Sequence, residues 1–199
     1  MKKTIILASN NKHKIEEISK MFEDFKVLSL SDIGFNEDII EDGVTFFDNA
    51  LIKAQALFNF IKDKNYNAYI IADDSGLCVD ALDGAPGVFS ARYAGNHNDK
   101  ANRDKLLKEL ENKEDRNAHY ECDIVLMNEK GEFEEFNGRC YGRITTEEIG
   151  DNEFGYNKIF YSLDLNKTFG QASIEERNSV SHRGRAISQV KRFLDEIDF

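Results

Sequence analysis

In its first half the chain alternates short β-branched, apolar runs with stretches whose apolar residues recur at helical spacing. No other feature constrains its fold as much. Thr4 to Ala8 is such a run, closed by Ser9-Asn10-Asn11. The spacing of Ile15, Ile18, Met21 and Phe22 predicts a helix from about Lys12 to Phe22. Lys26 to Leu30 predicts a second strand, and the acidic stretch from Ser31 to Gly43 a loop. Thr45-Phe46-Phe47-Asp48 has the form of a capping box with Asp in the place of Glu or Gln. Ala50, Leu51, Ala54, Leu57, Phe58 and Ile61 then mark an apolar helical stripe, with Lys53 on its polar side. Ala68 to Ala72 reads as a buried strand running into Asp73-Asp74-Ser75-Gly76.

The second half is patterned differently. Gly76 to Gly95 is rich in small residues and holds the single proline, Pro86, so it reads as an ordered loop with a short strand around Cys78 to Ala81. Asp99 to Leu110 predicts a helix. Tyr120, Cys122, Ile124 and Leu126 alternate as in a strand, Asn128 to Gly131 is a turn, and a hairpin partner follows from about Glu132 to Ile144. Gly150 to Tyr161 reads as loop and then strand. Ser181 caps a last helix with the stripe Ile187, Val190, Phe193, Leu194 and Ile197. Alternation followed by a hairpin predicts an α/β fold with a mixed sheet.

Composition narrows the function classes. The 199 residues carry 26 basic and 37 acidic side chains, a formal net charge of −11. A general affinity for nucleic-acid backbone needs a basic face, so that class is disfavoured, while a local basic pocket for a small phosphorylated ligand is not. No apolar run is long enough for a signal segment or a membrane span. Cys78, Cys122 and Cys140 are odd in number and lack metal-ligand spacing, which fits free thiols in a cytoplasmic protein.

Five segments carry candidate chemistry. Ser9-Asn10-Asn11-Lys12-His13-Lys14 lies where a strand meets a helix N-terminus, which suits phosphate. Taken alone it is read as an ordinary capped helix with solvated lysines. Glu41 sits in an acidic loop and matters only if the fold brings it to other carboxylates. Asp73 and Asp74 at a strand end repel each other, and a divalent cation such as Mg²⁺ would compensate them; a carboxylate there can also take a proton from attacking water. Phe154-Gly155-Tyr156-Asn157 offers an aromatic beside Gly, suited to stacking on a base or simply to packing at a strand start. Arg177 and Ser181-His182-Arg183-Gly184 place cations at a helix start, where the dipole disfavours them, so an anion or an exocyclic oxygen is a reason for them.

Taken together these residues resemble the inosine/xanthosine triphosphate pyrophosphatases, house-cleaning enzymes that hydrolyse noncanonical purine nucleoside triphosphates. The resemblance runs from the first strand to Gly184. Its most specific part is Ile71 to Leu77, continued by Val79 to Leu82 and Gly84 to Gly95, with Gly43, Thr45-Phe46, Asn49-Ala50 and Lys53-Ala54 before it and Phe154 to Tyr156 and Ser181 to Gly184 after it. The resemblance implies a mixed, strongly bent sheet flanked by helices, in one domain spanning 1–199 with two lobes and a central cleft. It implies that Ser9 to Lys14 line the triphosphate and that Glu41 and Asp74, with Asp73 close by, hold Mg²⁺. Asp74 would accept the proton of the attacking water, and Ser75 and Lys53 would contact substrate. Phe154 to Asn157 would cover the base, while Arg177, His182 and Arg183 hold or read it. A homodimer is implied as well. The chain departs from the family pattern at Asn10 and His13, where glycines are usual, and at Glu153, Asn157, Lys158 and Arg177, where Gly, Asp, Pro and Lys are usual. Two other readings stand beside this one: a related pyrophosphatase preferring pyrimidine or modified nucleotides, and a nucleotide-binding protein without turnover.

Overall fold

The computed structural model describes residues 3–64, 66–95 and 97–197, with the side chains of His13 and Glu17 left out. Among the described residues seven strands and five α-helices follow the order β1 (Lys3–Leu7), α1 (Lys12–Met21), β2 (Phe25–Leu28), α2 (Phe46–Ile61), β3 (Ala68–Val79), α3 (Asp99–Glu109), β4 (Asn117–Met127), β5 (Phe133–Ile144), β6 (Phe160–Ser162), β7 (Lys167–Thr168), α4 (Ile174–Val180) and α5 (His182–Glu196). The sheet order is β2-β1-β3-β4-β5-β6-β7. β1 pairs parallel with β2 and β3, while β6 pairs antiparallel with β5 and β7. The sheet is therefore mixed, as the patterning predicts.

The chain divides into two compact units. One comprises the residues up to Asp74, Asp123–Phe136 and the residues from Ala186 onward; the other comprises Ser75–Cys122 and Asn137–Arg185. In the first unit Ile6 on β1 stands level with Ile70 on β3. Both pack with Ala72, Val125 and Met127 against Ala50, Ala54, Leu57 and Ile61 of α2. Ile5, Leu7 and Ile71, which point to the opposite face, are also fully buried, as expected of parallel strands covered on both sides. The second unit has its own core. Leu77 and Val79 of β3, Ala118 of β4, Cys140 and Ile144 of β5 and Phe160 of β6 pack with Leu106 and Leu110, at the end of α3. Tyr120, Phe160 and Phe169 form an aromatic cluster within it, with ring centroids 4.7 to 6.0 Å apart.

Local chemistry explains where α2 begins. The Thr45 hydroxyl accepts from the Asp48 amide and the Asp48 carboxylate accepts from the Thr45 amide, each at 3.0 Å, so the capping box closes in both directions. The largest departure from the sequence reading is at β3. It does not stop at Ala72 but continues through Asp73-Asp74-Ser75-Gly76 to Val79, so Cys78 lies on a long strand and not on a short one of its own. The Gly76–Gly95 stretch then makes two 3₁₀ turns, Asp80–Leu82 and Gly87–Arg92. Asp and Gly are poor strand formers. Here partners from other elements satisfy the two carboxylates, and the strand need not break to solvate them.

Candidate functional site

The first group of candidate residues gathers around Asp73 and Asp74. Asp73 is buried, with only 2% of its side chain exposed, and Lys14 Nζ from α1 donates to both its oxygens, at 2.8 and 3.1 Å. Asp74 accepts at 2.9 Å from Asn49 Nδ2. Lys53 Nζ lies 2.7 Å from Glu41 Oε2 and 4.0 Å from Asp74 Oδ1. The fold thus brings Glu41 to the ammonium that also faces Asp74. Lys53 is not on a polar face. It is buried in the same stripe as Asn49, Ala50, Ala54 and Leu57, so α2 turns one amide and one ammonium toward the carboxylates from within its apolar side.

Backbone geometry holds this arrangement. Asn49 Oδ1 accepts from the Gly43 amide at 2.9 Å, so one buried side chain joins the Glu41 loop to Asp74. A Cβ at Gly43 would lie 2.5 Å from Asp48 Cβ and 2.7 Å from Asn49 Oδ1, an approach only glycine permits. Asn49 acts here as a positioning residue. The sequence offered only its match to the family segment as a signal, since the stripe reading counted apolar residues alone.

The chemistry of the donor set decides whether a hard divalent cation fits. Mg²⁺ takes oxygen ligands and commonly uses one or two protein carboxylates with phosphate oxygens and water. Glu41 and Asp74 already face one cationic centre, the Lys53 ammonium, and both are partly open to solvent. They fit the ion. Asp73 is committed to Lys14 through both oxygens and fits it less well.

The Ser9–Lys14 segment forms the loop and first turn ahead of α1. Ser9 Oγ accepts from the Asn11 amide at 3.0 Å. Asn10 Oδ1 accepts from the Ser31 amide and hydroxyl at 2.9 and 2.8 Å. Asn10 therefore anchors the loop to the chain after β2. Lys12 is exposed, and the His13 side chain lies outside the described residues. Amides at the start of α1 and the Lys14 ammonium give this end a positive character suited to phosphate.

The second group lies in the other unit. Phe154 is 76% exposed, the most open aromatic ring among the described residues. Gly155 follows it at φ +54 and donates its amide to Asp99 Oδ2 at 2.7 Å. Tyr156 does not share that exposure. Its ring joins the core, and its hydroxyl donates to the Ser90 carbonyl at 2.7 Å. Burial pushes its phenol well above the ordinary value, so it stays protonated. Asn157 is buried and donates through Nδ2 to Asn152 Oδ1 at 2.9 Å, a bond an Asp in its place could not donate. Arg183 donates to the Ser75 hydroxyl at 3.0 Å, and His182 stacks on Tyr120 with centroids 5.1 Å apart. Arg177 Nη1 donates to the carbonyls of Phe169 and Ala172, which ties α4 to the chain before it.

Arg103 is the residue the sequence reading missed. It sits on α3 with a side chain only 1% exposed. Its guanidinium donates to Glu148 Oε1 at 2.6 Å, to Glu153 Oε2 at 2.8 Å, and to the carbonyls of Glu153 and Gly155 at 2.9 Å each. Burial opposes its charge, but Glu148 and Glu153 outweigh that and hold it above the ordinary arginine value. Glu153 also pairs with Lys158. The two positions read from the sequence as departures, 153 and 158, are thus ion-pair partners. The long Gly84–Gly95 match has a similar scaffolding role: Ser90 Oγ accepts from the Leu77 amide at 2.9 Å, and Asn102 Oδ1 accepts from the Ala94 amide at 2.7 Å.

Comparison with known proteins addresses the chain as a whole. The Ham1 family profile matches residues 5–193. A dITP/XTP pyrophosphatase of Clostridium perfringens is 45% identical over 201 residues, covering 98% of each chain. One of Leuconostoc mesenteroides is 45% identical over 196 residues, 96% of each. The solved structure of the Staphylococcus aureus Ham1 protein matches with a TM-score of 0.89 at 42% identity, covering 97% of this chain and 98% of that one. That of a Mycobacterium abscessus dITP/XTP pyrophosphatase matches with a TM-score of 0.78 at 38% identity, covering 94% and 98%. Sequence and fold place this chain in the Ham1 family.

Proposed function

We propose that the protein hydrolyses dITP, ITP and XTP to the nucleoside monophosphate and pyrophosphate, with Mg²⁺ as cofactor, and so removes these nucleotides from the cellular pool. The observation that carries this reading is the cluster of Glu41, Asp73 and Asp74 with Lys14, Lys53 and Asn49, in a chain 45% identical to a dITP/XTP pyrophosphatase over nearly its full length.

The residues divide the work. The amides at the start of α1, with Ser9, Asn10, Asn11, Lys12, His13 and Lys14, receive the triphosphate. Asp74 and Glu41, with Asp73 beside them, hold Mg²⁺, which when bound neutralises charge on the phosphates and eases departure of pyrophosphate. Asp74 takes the proton of the water that attacks the α-phosphorus, and Asn49 holds its carboxylate in place for that transfer. Lys53 stabilises the negative charge that grows on the phosphoryl oxygens.

In the second unit Phe154 stacks on the base, with Gly155, Tyr156 and Asn157 shaping that contact. Ser75, Arg177, His182 and Arg183 supply donors. Hypoxanthine and xanthine carry an acceptor oxygen where adenine carries an amino donor. Donors facing that position are left unpaired by adenine, which discriminates strongly. A net charge of −11 fits a free nucleotide as substrate better than a nucleic acid. Among the described residues no helix is long and apolar enough to cross a membrane. We extend the reading to a cytoplasmic homodimer of single-domain chains, on the strength of the odd cysteine count and the family resemblance.

Replacing Asp74 by Asn tests the catalytic reading. Turnover should fall by roughly 10²–10⁴, while a fluorescent nucleotide still binds. Undiminished turnover would remove Asp74 from the chemistry, and a wild-type protein that binds nucleotide without releasing pyrophosphate would be a binding protein.

A further inference from the structure

Outside the residues assigned above, one cluster combines a thiol, an imidazole and a carboxylate. Cys78 on β3 and His119 and Glu121 on β4 each bring a ligand atom within 4.8 Å of the other two. Among the described residues this is the one group of three such side chains that meets so closely. All three belong to the same unit. β3 and β4 are neighbours in the sheet, and His119 and Glu121, two residues apart, share one face of β4. The intervening Tyr120 turns the other way, into the aromatic core.

The imidazole-to-carboxylate distance matches a tetrahedral ion. His119 Nε2 and Glu121 Oε2 are 3.4 Å apart. Tetrahedral Zn²⁺ with nitrogen and oxygen ligands at about 2.0–2.1 Å separates them by about 3.3–3.4 Å. The carboxylate is also held in the right way. Glu121 Oε1 accepts from Asn137 Nδ2 at 2.7 Å and from Arg139 Nε and Nη2 at 2.9 and 2.7 Å, while Oε2 faces the imidazole. One oxygen is fixed by outer partners and the other is presented, as ligating carboxylates commonly are. Burial resists ionisation of Glu121, but the bonds from Arg139 and Asn137 outweigh it and keep the carboxyl below its ordinary value. The His119 ring is packed beside Tyr141, with centroids 5.6 Å apart.

We propose that Cys78 Sγ, His119 Nε2 and Glu121 Oε2 form a Zn²⁺ site that clips β3 to β4 and shares no residue with the proposed catalytic set. The thiolate and imidazole select Zn²⁺ over Mg²⁺, which prefers oxygen alone. Three protein ligands leave the fourth position to water. On binding, the Cys78 S–H bond is replaced by S–Zn and its proton goes to solvent; His119 binds through the neutral Nε2 lone pair with its proton on Nδ1; Glu121 is already ionised. The Arg139 charge beside Oε1 weakens the site.

The test uses metal-free full-length protein in excess Mg²⁺, titrated with Co²⁺ as a spectroscopic probe. One equivalent should produce a thiolate-to-cobalt charge-transfer band and the intense visible bands of tetrahedral Co²⁺, and Zn²⁺ should displace both. Cys78→Ser should abolish the charge-transfer band, and His119→Gln should weaken binding at least tenfold. Neither change should affect Mg²⁺-supported turnover. Should Cys78→Ser fail to fold, alkylation of the wild-type protein gives the same answer: Zn²⁺ should protect Cys78, identified by peptide mass, from modification. Absence of a saturable thiolate band, its persistence in folded Cys78→Ser, or alkylation of Cys78 indifferent to Zn²⁺ would overturn the site. Loss of the site leaves the pyrophosphatase reading untouched, because none of these readouts depends on turnover.

Discussion

Arg103→Met is the substitution whose outcome the structure specifies best. Methionine approximates the length of the side chain, so the cavity term is small. What is lost is a buried guanidinium with four hydrogen bonds, two of them to the carbonyls of Glu153 and Gly155. Removing one member of a buried ion pair costs about 3–5 kcal/mol when the partner stays buried. Here Glu148 is 28% and Glu153 68% exposed, so water can take up both carboxylates and the cost falls. The two carbonyls then dominate, at about 1 kcal/mol or more each, and the expected destabilisation is about 3 kcal/mol. The second effect is local. The Phe154–Gly155 turn loses its anchor from α3 but keeps the Asp99 bond to the Gly155 amide. Arg103→Met should therefore raise KM for dITP and XTP several-fold while kcat changes little, and Arg103→Lys should recover part of both effects. Urea unfolding and steady-state kinetics read the two. A loss under about 1 kcal/mol with KM unchanged would refute the reasoning.

Lys53→Met should lower kcat by roughly 10²-fold in pyrophosphate release, whereas a fall in nucleotide affinity alone would assign Lys53 to binding. Thr45→Ala opens the capping box of α2 and should cost about 1 kcal/mol in urea unfolding; no change would mean that helix docking, not the cap, sets its stability. Glu121 is held below its ordinary 4.5, so the unfolded chain binds that proton more readily than the folded one. Its stabilisation is present in full above pH 4.5 and is lost as the pH falls through the lower folded value. Glu121→Gln should flatten the acid limb of stability against pH, and an unaltered limb would contradict that assignment. Cys122 and Cys140 are fully buried, and burial pushes the Cys140 thiol up to about 11, so metal-free native protein should react first at the half-buried Cys78, a result read by peptide mass after brief alkylation.

What was legible in the sequence was what local rules govern. The capping box at Thr45 to Asp48 needs only four consecutive residues, and it closes as expected. The strands at Ile5 to Leu7 and Ile124 to Leu126 show themselves by their apolar pattern. β7, with two residues, and α4, with seven, are too short for a period to emerge. The full length of β3 is not legible because Asp73, Asp74 and Gly76 look like a break, and the partners that remove the need for one, Lys14 and Asn49, come from elsewhere in the chain. The burial of Lys53 and of Arg103 is not legible for a related reason. A lysine or arginine between helical turns is usually solvated, and only the tertiary positions of Glu41, Asp74, Glu148 and Glu153 make these two worth burying. The family resemblance pointed to the acidic cluster and the base-side residues; it did not show that Tyr156 belongs to the core while Phe154 stands exposed.

The central claim is that this acidic cluster cleaves the triphosphates of hypoxanthine and xanthine nucleosides, between the α- and β-phosphates. The direct measurement is the phosphate product formed in Mg²⁺ from dITP, ITP, XTP, GTP, dATP and dTTP at equal concentration. The account predicts pyrophosphate and the monophosphate from dITP, ITP and XTP, with dATP and dTTP at least roughly a hundredfold slower. Orthophosphate as the product, or dATP turned over as fast as dITP, would contradict it.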